Sequence, residues 1–341
     1  MKNVLLRGEI GDNQSCGIVN IGMTYGFEQC GVNVGVDPKA RYAGIPMFVT
    51  ERIRRKLPYD TVIDHGLPHQ MQGLGGISPE IRRIALCFWD SSLFSKEAAD
   101  CINANADMMI THSDFTRKAA LDAGVTKKVV VGAAGVFASD YQPKPIRNDD
   151  KYRFIFFGVA QGRKGVQEAI IAFESVLADR DDVEFIVKSN SWGRLCDYGV
   201  KAKNVKLIYE EYARPQMIDF LQRCDCFVCA SKGDSFMFPG LEAMAAGLPL
   251  IITDFGGPTQ YLNLNTGYPV KYTLQECHYL AGYQAEPDVQ HLAETMKYVF
   301  EHKDEAEKKG YYGYLWAQYY WDWSTVAFRL IKDLDYGENK A

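Results

Sequence analysis

Five short apolar runs, RFIFFGV (153–159), VEFIVKS (183–189), VKLIYE (205–210), CFVCAS (226–231) and PLIITD (249–254), alternate with stretches of helical periodicity, QEAIIAFESVLADR, RPQMIDFLQRC and PGLEAMAAG. Strands separated by helices pair in parallel through crossovers, so this pattern defines βαβ units and excludes an all-β or all-α chain. An earlier series has the same form. NVLLRGEI (3–10) reads as a strand, GIVNIGMTYGFEQCG (17–31) as a helix stopped at Gly31, and VNVGVD (32–37), TVIDHG (61–66), IALCFWD (84–90) and ADMMIT (106–111) as strands. The helix DFTRKAALDAG (114–124) ends at a glycine suited to a left-handed cap, and KVVVGAAG carries the next strand. The polar stretch QPKPIRNDDK (142–151) divides the two series. The expected fold is α/β: two Rossmann-like, doubly wound domains facing a central cleft.

The bulk numbers agree. The 341 residues suffice for two domains of about 150 residues each. With 38 Lys and Arg against 43 Asp and Glu, the net charge of −5 does not advertise a nucleic acid or an anionic membrane. No apolar run approaches the ~20 residues of a membrane span. MKNVLLRGEIGD, its apolar run cut by charges, reads as a first strand rather than a signal peptide. The nine cysteines are then expected to be reduced thiols in a cytoplasm. Cys224, Cys226 and Cys229 in RCDCFVCAS lack a second cluster at zinc-finger spacing, and Cys224 and Cys226 fit alternate positions of an apolar strand, so core packing is expected.

The chemistry concentrates in GDSFMFPGLEAMAAGLPLI (233–251). Pro239 suits the first turn of a helix and Gly247 its stop. A helix starting at Pro239 leaves the N–H groups of Gly240, Leu241 and Glu242 without intrahelical partners. With the helix dipole they form an anion site matched to a diphosphate, which Gly240 lets approach closely. Glu242 either gains from the dipole, by about 0.3–1 kcal/mol, or accepts hydrogen bonds from ribose hydroxyls. Asp234 either shapes the Gly-Asp-Ser turn or accepts hydrogen bonds from sugar hydroxyls. A second anion element, FIFFGVAQGRKGVQEAIIAF, runs from a strand ending at Gly158 through Arg163 and Lys164 into a helix. It lies at the carboxyl end of its domain's first strand, where ligands of such sheets bind, and its two cations suit a diphosphate leaving group.

FGVAQGRKGVQEAIIAF, CDCFVCASKGDSFMFPGLEAMAAGLPLIITDFGG and TGYPV together resemble retaining glycosyltransferases of family 4, which have the GT-B fold. The family pattern is Glu, seven residues, Glu across a Pro-x-Leu-Glu-Ala helix start; here it reads Asp234 to Glu242. ADMMITHSDFTRKAALDAGV and KKVVVGAAGVFASDYQP resemble the segment closing the N-terminal domain, and YYWDWSTVAFRLIKDL the C-terminal helix that crosses back to it. The resemblance covers nearly the whole chain, most closely over 150–270 and least over 38–100. It implies an N-terminal acceptor-side domain at 1–147 joined by a C-terminal helix at 322–341, and a nucleotide-sugar domain at 148–321.

The resemblance further implies roles. Lys164 and Arg163 bind the donor phosphates, Glu242 the ribose, and Asp234 faces the transferred sugar. Gly158 and the backbone of Phe238, Pro239, Gly240 and Leu241 hold the diphosphate, while Gly17 in SCGIVN approaches the donor from the other domain. No metal or cofactor is implied; a UDP- or GDP-sugar is the donor and a hydroxyl on a glycan, lipid-linked or small molecule the acceptor. The chain departs from the family at Asp234, one methylene shorter than Glu; at Val159, where Arg is common; and at Trp89, where a His is common and Asp90 follows. Asp90 and His65, in IDHG, are the acceptor-side catalytic candidates, with a structural role for His65 weighed equally.

Other signals receive plainer readings. Asp-Arg-Asp at 179–181 mimics a metal-binding motif of another transferase class but sits in a helix-to-strand connection. The aromatic run YYGYLWAQYYWDWS (311–324) is expected to pack between domains, with Asp322 capping a new helix. The basic KARYAGIPMFVTERIRRK (39–56) and Gly-rich LPHQMQGLGGISPE (67–80) are expected to be solvated; an acceptor pocket or peripheral contact at the inner face of a membrane is the sharper alternative. The rival functions are another GT-B enzyme such as a phosphorylase or epimerase, a transferase that modifies nucleic acid, and a non-catalytic GT-B nucleotide-binding protein. Base, sugar, acceptor and oligomeric state stay open.

Overall fold

A computed structural model describes residues 1–12, 15–53, 55–143, 150–189 and 198–335. The chain divides into two compact units: Met1–Phe137 with Cys277–Gly282 and Tyr319–Ala341, and Ala138–Glu276 with Tyr283–Gln318. Much of the polar stretch 142–151, residues 144–149, lies outside the described residues.

The first unit is a six-stranded parallel sheet in the order β2-β1-β3-β4-β5-β6. Its strands are β1 (Asn3–Ile10), β2 (Asn33–Arg41), β3 (Thr61–Gly66), β4 (Arg82–Cys87), β5 (Met108–Thr111) and β6 (Lys128–Val131). Inner strands β3 and β5 are buried on both faces, which is why they read as unbroken apolar runs. Strand β2 runs further than the expected 32–37 and includes Pro38. It can do so because β2 is an edge strand, where the missing N–H is tolerated. The ladder slips beside it, Gly8 pairing with Pro38 and Glu9 with Ala40, so Lys39 bulges and pairs with the buried Asp64. Helices α1 (Ser15–Gln29), α2 (Met47–Ile53), α3 (Lys96–Asn105) and α4 (Asp114–Asp122) connect the strands. Ser95 and Ser113 cap α3 and α4.

The closing helix α10 (Trp323–Asp335) packs on α1 through two glycines. A Cβ on Gly22 would stand 1.9 Å from the Trp323 ring, and one on Gly26 would stand 2.4 Å from the Trp323 carbonyl. Glycine at this i, i+4 pair lets a tryptophan lie directly on the helix. Asp322 caps the start, accepting the Ser324 N–H at 2.9 Å.

The second unit repeats the plan in the order β12-β11-β10-β7-β8-β9. These parallel strands are β7 (Tyr152–Phe157), β8 (Val183–Lys188), β9 (Val205–Ile208), β10 (Cys226–Cys229), β11 (Leu250–Thr253) and β12 (Gly267–Val270). An antiparallel hairpin, β13 (Tyr272–Glu276) and β14 (Tyr283–Pro287), follows. Helices are α5 (Val166–Leu177), α6 (Arg214–Gln222), α7 (Phe238–Ala245), α8 (Val289–Glu301) and α9 (Lys303–Tyr320). Cys224 precedes β10 instead of sharing its alternation with Cys226, its N–H bonded to Leu221 O at 2.9 Å; both thiols are nevertheless fully buried. No group of three or more metal-ligating side chains occurs among the described residues.

The aromatic run is only partly core. Trp321 and Trp323 are buried, but Tyr311, Tyr312 and Tyr319 are 56%, 59% and 77% exposed. The buried face of α9 is made of Ala306, Gly310, Gly313 and Ala317, and a Cβ on Gly313 would meet Met244 of α7 at 2.7 Å. Small residues set that face, so the tyrosines point away from it. No helix among the described residues is long and apolar enough to cross a membrane.

Candidate active site

In the second unit the loops after β7, β10 and β11 meet at the carboxyl ends of adjacent parallel strands, where doubly wound sheets bind ligands. Gly158, at φ +134°, follows β7 in a backbone region reserved for glycine. A Cβ built there would lie 3.6 Å from Pro239, which places this loop against the start of α7. The loop tightens through Gly162–Lys164 to Gly165, at φ +63°. A Cβ on Gly165 would stand 1.9 Å from the Ala230 carbonyl, so the loop lies flat on the end of β10. The Lys232 N–H donates to Arg163 O at 2.7 Å and stitches the two loops together.

That stitching brings Arg163 and Lys164 onto Asp234. The Lys164 ammonium bonds Asp234 Oδ2 directly. Arg163 Nη1 is 3.4 Å from the same oxygen and donates to Gly233 O at 2.9 Å. Ser231 Oγ stands 3.4 Å from Oδ2. Asp234 is buried, which alone pushes its carboxyl up; the Lys164 and Arg163 cations outweigh burial and hold it below the ordinary carboxylate value. Asp234 is therefore an ionised, clamped group rather than an open turn residue. Its carbonyl accepts the Gly257 N–H at 2.7 Å, tying in the loop after β11.

Helix α7 starts at Phe238, one residue before the expected Pro239. Met237 caps it at φ 64°, ψ 72°, a left-handed conformation that costs a non-glycine residue about 1–3 kcal/mol. Its carbonyl accepts from Tyr261 Oη at 2.7 Å and from the Gly240 N–H at 3.1 Å. Two expectations change. The Gly240 amide is spent inside the first turn, while Leu241 and Glu242 sit far enough along to donate to carbonyls four residues back. The positive end of the helix is thus the Met237–Phe238 step. Gly240 owes its identity to packing, since a Cβ there would stand 2.3 Å from Tyr261 Oη.

Glu242 is held by a residue that spacing did not suggest. Arg214 Nη1 donates to Glu242 Oε1 at 3.1 Å, and its Nε donates to Asp140 Oδ2 at 3.0 Å. Burial pushes the Glu242 carboxyl up, and the Arg214 charge counters it without cancelling it. The only sequence sign of Arg214 is its position before a proline at a helix start.

The remaining candidates belong to the first unit. Gly17 lies in the first turn of α1, and a Cβ there would stand 2.2 Å from Gly11 O, so packing on the turn after β1 requires the glycine. His65, at the end of β3, is buried. Its Nδ1 is 2.9 Å from Asn20 Oδ1, its Nε2 has no hydrogen-bond partner among the described residues, and the ring stands edge-on to His112 at 5.7 Å. Asp90 follows β4 and, after burial and Glu9, helps push the Cys16 thiol up to about 12. Trp89 is core, its Nε1 donating to Leu93 O at 2.7 Å. The Asp-Arg-Asp string, in the second unit, lies in the α5–β8 connection; Arg180 pairs with Asp182 at 2.8 Å, and Asp181 is 95% exposed.

The buried histidines give this unit an acid sensitivity. Burial pushes His112 down to about 4. Its folded value lies below its unfolded value near 6.5, so the unfolded chain binds more protons between the two and stability falls as pH drops through that window. The full effect is about 3 kcal/mol. Denaturant unfolding at pH 7 and pH 4.5, above the range where Asp234 matters, should show His112→Gln losing less stability than the wild type; equal losses would contradict the assignment.

Two parallel six-stranded sheets covered by helices, one in each unit, give the chain the GT-B fold. The fold matches Alr3699/HepE of Anabaena in complex with UDP and glucose, at TM-score 0.71 and 16% identity, over 98% of this chain and 100% of that one. Sucrose-phosphate synthase (tll1590) from Thermosynechococcus elongatus matches at 0.73 and 15%, over 100% of both chains, and a glycosyltransferase from Rickettsia africae ESF-5 at 0.70 and 13%, also over 100% of both. Residues 138–316 match the family model of glycosyl transferases group 1, and the chain belongs to that family. No curated protein sequence matches it.

Proposed function

We propose that this protein transfers a sugar from a nucleoside diphosphate sugar to a hydroxyl acceptor, retaining the anomeric configuration in the manner of family 4. The observation that carries this reading is the convergence of Lys164, Arg163 and Asp234 beside the start of α7, at the carboxyl ends of β7 and β10. The Lys164 ammonium has three donors, so it can keep Asp234 and still meet a phosphate oxygen. Together with Arg163 and the helix dipole it neutralises charge that develops on the departing diphosphate. Asp234, held ionised, accepts hydrogen bonds from the transferred sugar, and Glu242 from the ribose. In the reaction the acceptor oxygen attacks C1 on the face that the diphosphate leaves. The C1–phosphate oxygen bond breaks as the new C1–oxygen bond forms, and the acceptor proton passes to the leaving phosphate.

UDP is the first nucleotide to test, because Alr3699/HepE was solved with UDP and with UDP-glucose. Thermal unfolding with UDP, GDP and ADP, and then with their sugars, should show one base series raising Tm. That sugar should then be hydrolysed slowly without acceptor, releasing first the anomer present in the donor, as read by NMR. No shift with any nucleotide at millimolar concentration would overturn the proposal; release of the opposite anomer would overturn retention.

A further inference from the structure

The salt bridge to Glu242 leads beyond the donor site itself. Arg214 is the first residue of α6, where a cation meets the positive end of the helix dipole and gains nothing from it. The helix start is fixed independently, with the Ala213 N–H donating to Gln216 Oε1 at 2.9 Å and Pro215 presetting the backbone. The guanidinium spans two acids, Asp140 at 3.0 Å and Glu242 at 3.1 Å, and both the Arg214 and Glu242 side chains are largely buried. The bond to Glu242 uses Oε1 alone, and Oε2 takes no hydrogen bond from the described residues. One carboxylate oxygen is anchored and the other is available.

We propose that Arg214 is the positioning residue that turns Glu242 into a reader of the donor ribose: by anchoring Oε1 it presents Oε2, as an ionised acceptor, to the ribose hydroxyls. The inference rests on the nucleotide-sugar reading above. The charged and titratable groups around this carboxylate are Arg214, Asp140 and the buried Tyr141, whose hydroxyl burial keeps protonated. Removing Arg214 removes the cation that bonds Glu242 among the described residues. Glu242 then protonates more readily and offers the diol fewer acceptor positions.

Calorimetric titration of the full chain with UDP and with 2′,3′-dideoxy-UDP tests this, using the GDP pair if GDP is the nucleotide that binds. The wild type should bind the ribose form at least about tenfold more tightly, as fits charge-assisted hydrogen bonds, with little change from pH 8 to pH 6. In Arg214→Met the preference should fall to about twofold and shrink further as pH drops, read as the ratio of the two affinities so that titration of their shared terminal phosphate cancels. Arg214→Lys should restore part of it. Should the Met variant fold poorly, Arg214→Gln, which keeps polar contact without charge, should show the same loss. In a Glu242→Gln background Arg214→Met should change the preference no further. A wild-type preference and flat pH profile in Arg214→Met and Arg214→Gln, with the preference lost in Glu242→Gln, would overturn the role of Arg214 alone. Equal binding of the ribose and dideoxy forms by the wild type would overturn the ribose reading of Glu242 as well.

Discussion

Lys164→Ala is expected to weaken nucleoside diphosphate binding by about 10- to 100-fold, the range set by losing a charge-assisted phosphate contact worth about 1.5–3 kcal/mol. It also lowers stability, because Lys164 is one of two cations on a buried carboxylate. Breaking such a pair from one side costs about 3–5 kcal/mol, and Arg163 and Ser231, which stay beside Asp234 Oδ2, pull the cost toward the lower figure. The two losses separate in Lys164→Ala/Asp234→Asn, where no unpaired carboxylate remains. A diphosphate carries no transferred sugar, so the Asp234 change should leave its binding alone. Calorimetry and thermal unfolding should show Tm largely restored and the affinity loss unchanged. Recovery of both would mean that Lys164 serves only to neutralise Asp234, and the phosphate assignment would fail.

Gly165→Ala should damage the fold and the site together. The position combines φ +63° with a Cβ site 1.9 Å from a backbone carbonyl, and neither the strand end nor the loop can give way cheaply. Left-handed strain of about 1–2 kcal/mol and overpacking of about 1–3 kcal/mol add to roughly 2–5 kcal/mol. A fall in Tm on the order of 10 °C follows. Because the same residue presses the Arg163–Lys164 loop onto β10, nucleotide binding should fall with stability. Gly165→Asn separates the causes. Asparagine tolerates the left-handed region, yet its Cβ meets the same Ala230 carbonyl, so it should not rescue. Rescue by Asn would show that strain, rather than close approach, fixes the glycine.

What could be read from residue order, and what could not, follows from the range of the interactions. The parallel strands announced themselves because a strand buried on both faces must be an apolar run, as in MMIT and CFVC. Arg163, Lys164 and Asp234 were legible because strand–loop–helix order puts those loops at one sheet end. Hairpin β13–β14 escaped notice because exposed polar and aromatic positions carry no burial signal; Leu274 is 57% exposed. The clamp on Glu242 escaped because Arg214 and Asp140 converge from segments 28 and 102 residues away, which no spacing encodes. The close approach of Gly240 to Tyr261, 21 residues on, escaped for the same reason.

The position of a bound diphosphate decides the matter most directly. In a crystal structure of the full chain with the nucleoside diphosphate it binds best, the phosphates should lie within hydrogen-bond reach of Lys164 Nζ and the Met237–Phe238 step, with the ribose hydroxyls at Glu242. A diphosphate seated elsewhere, with Lys164 still closed on Asp234 and out of reach of any phosphate oxygen, would contradict the account.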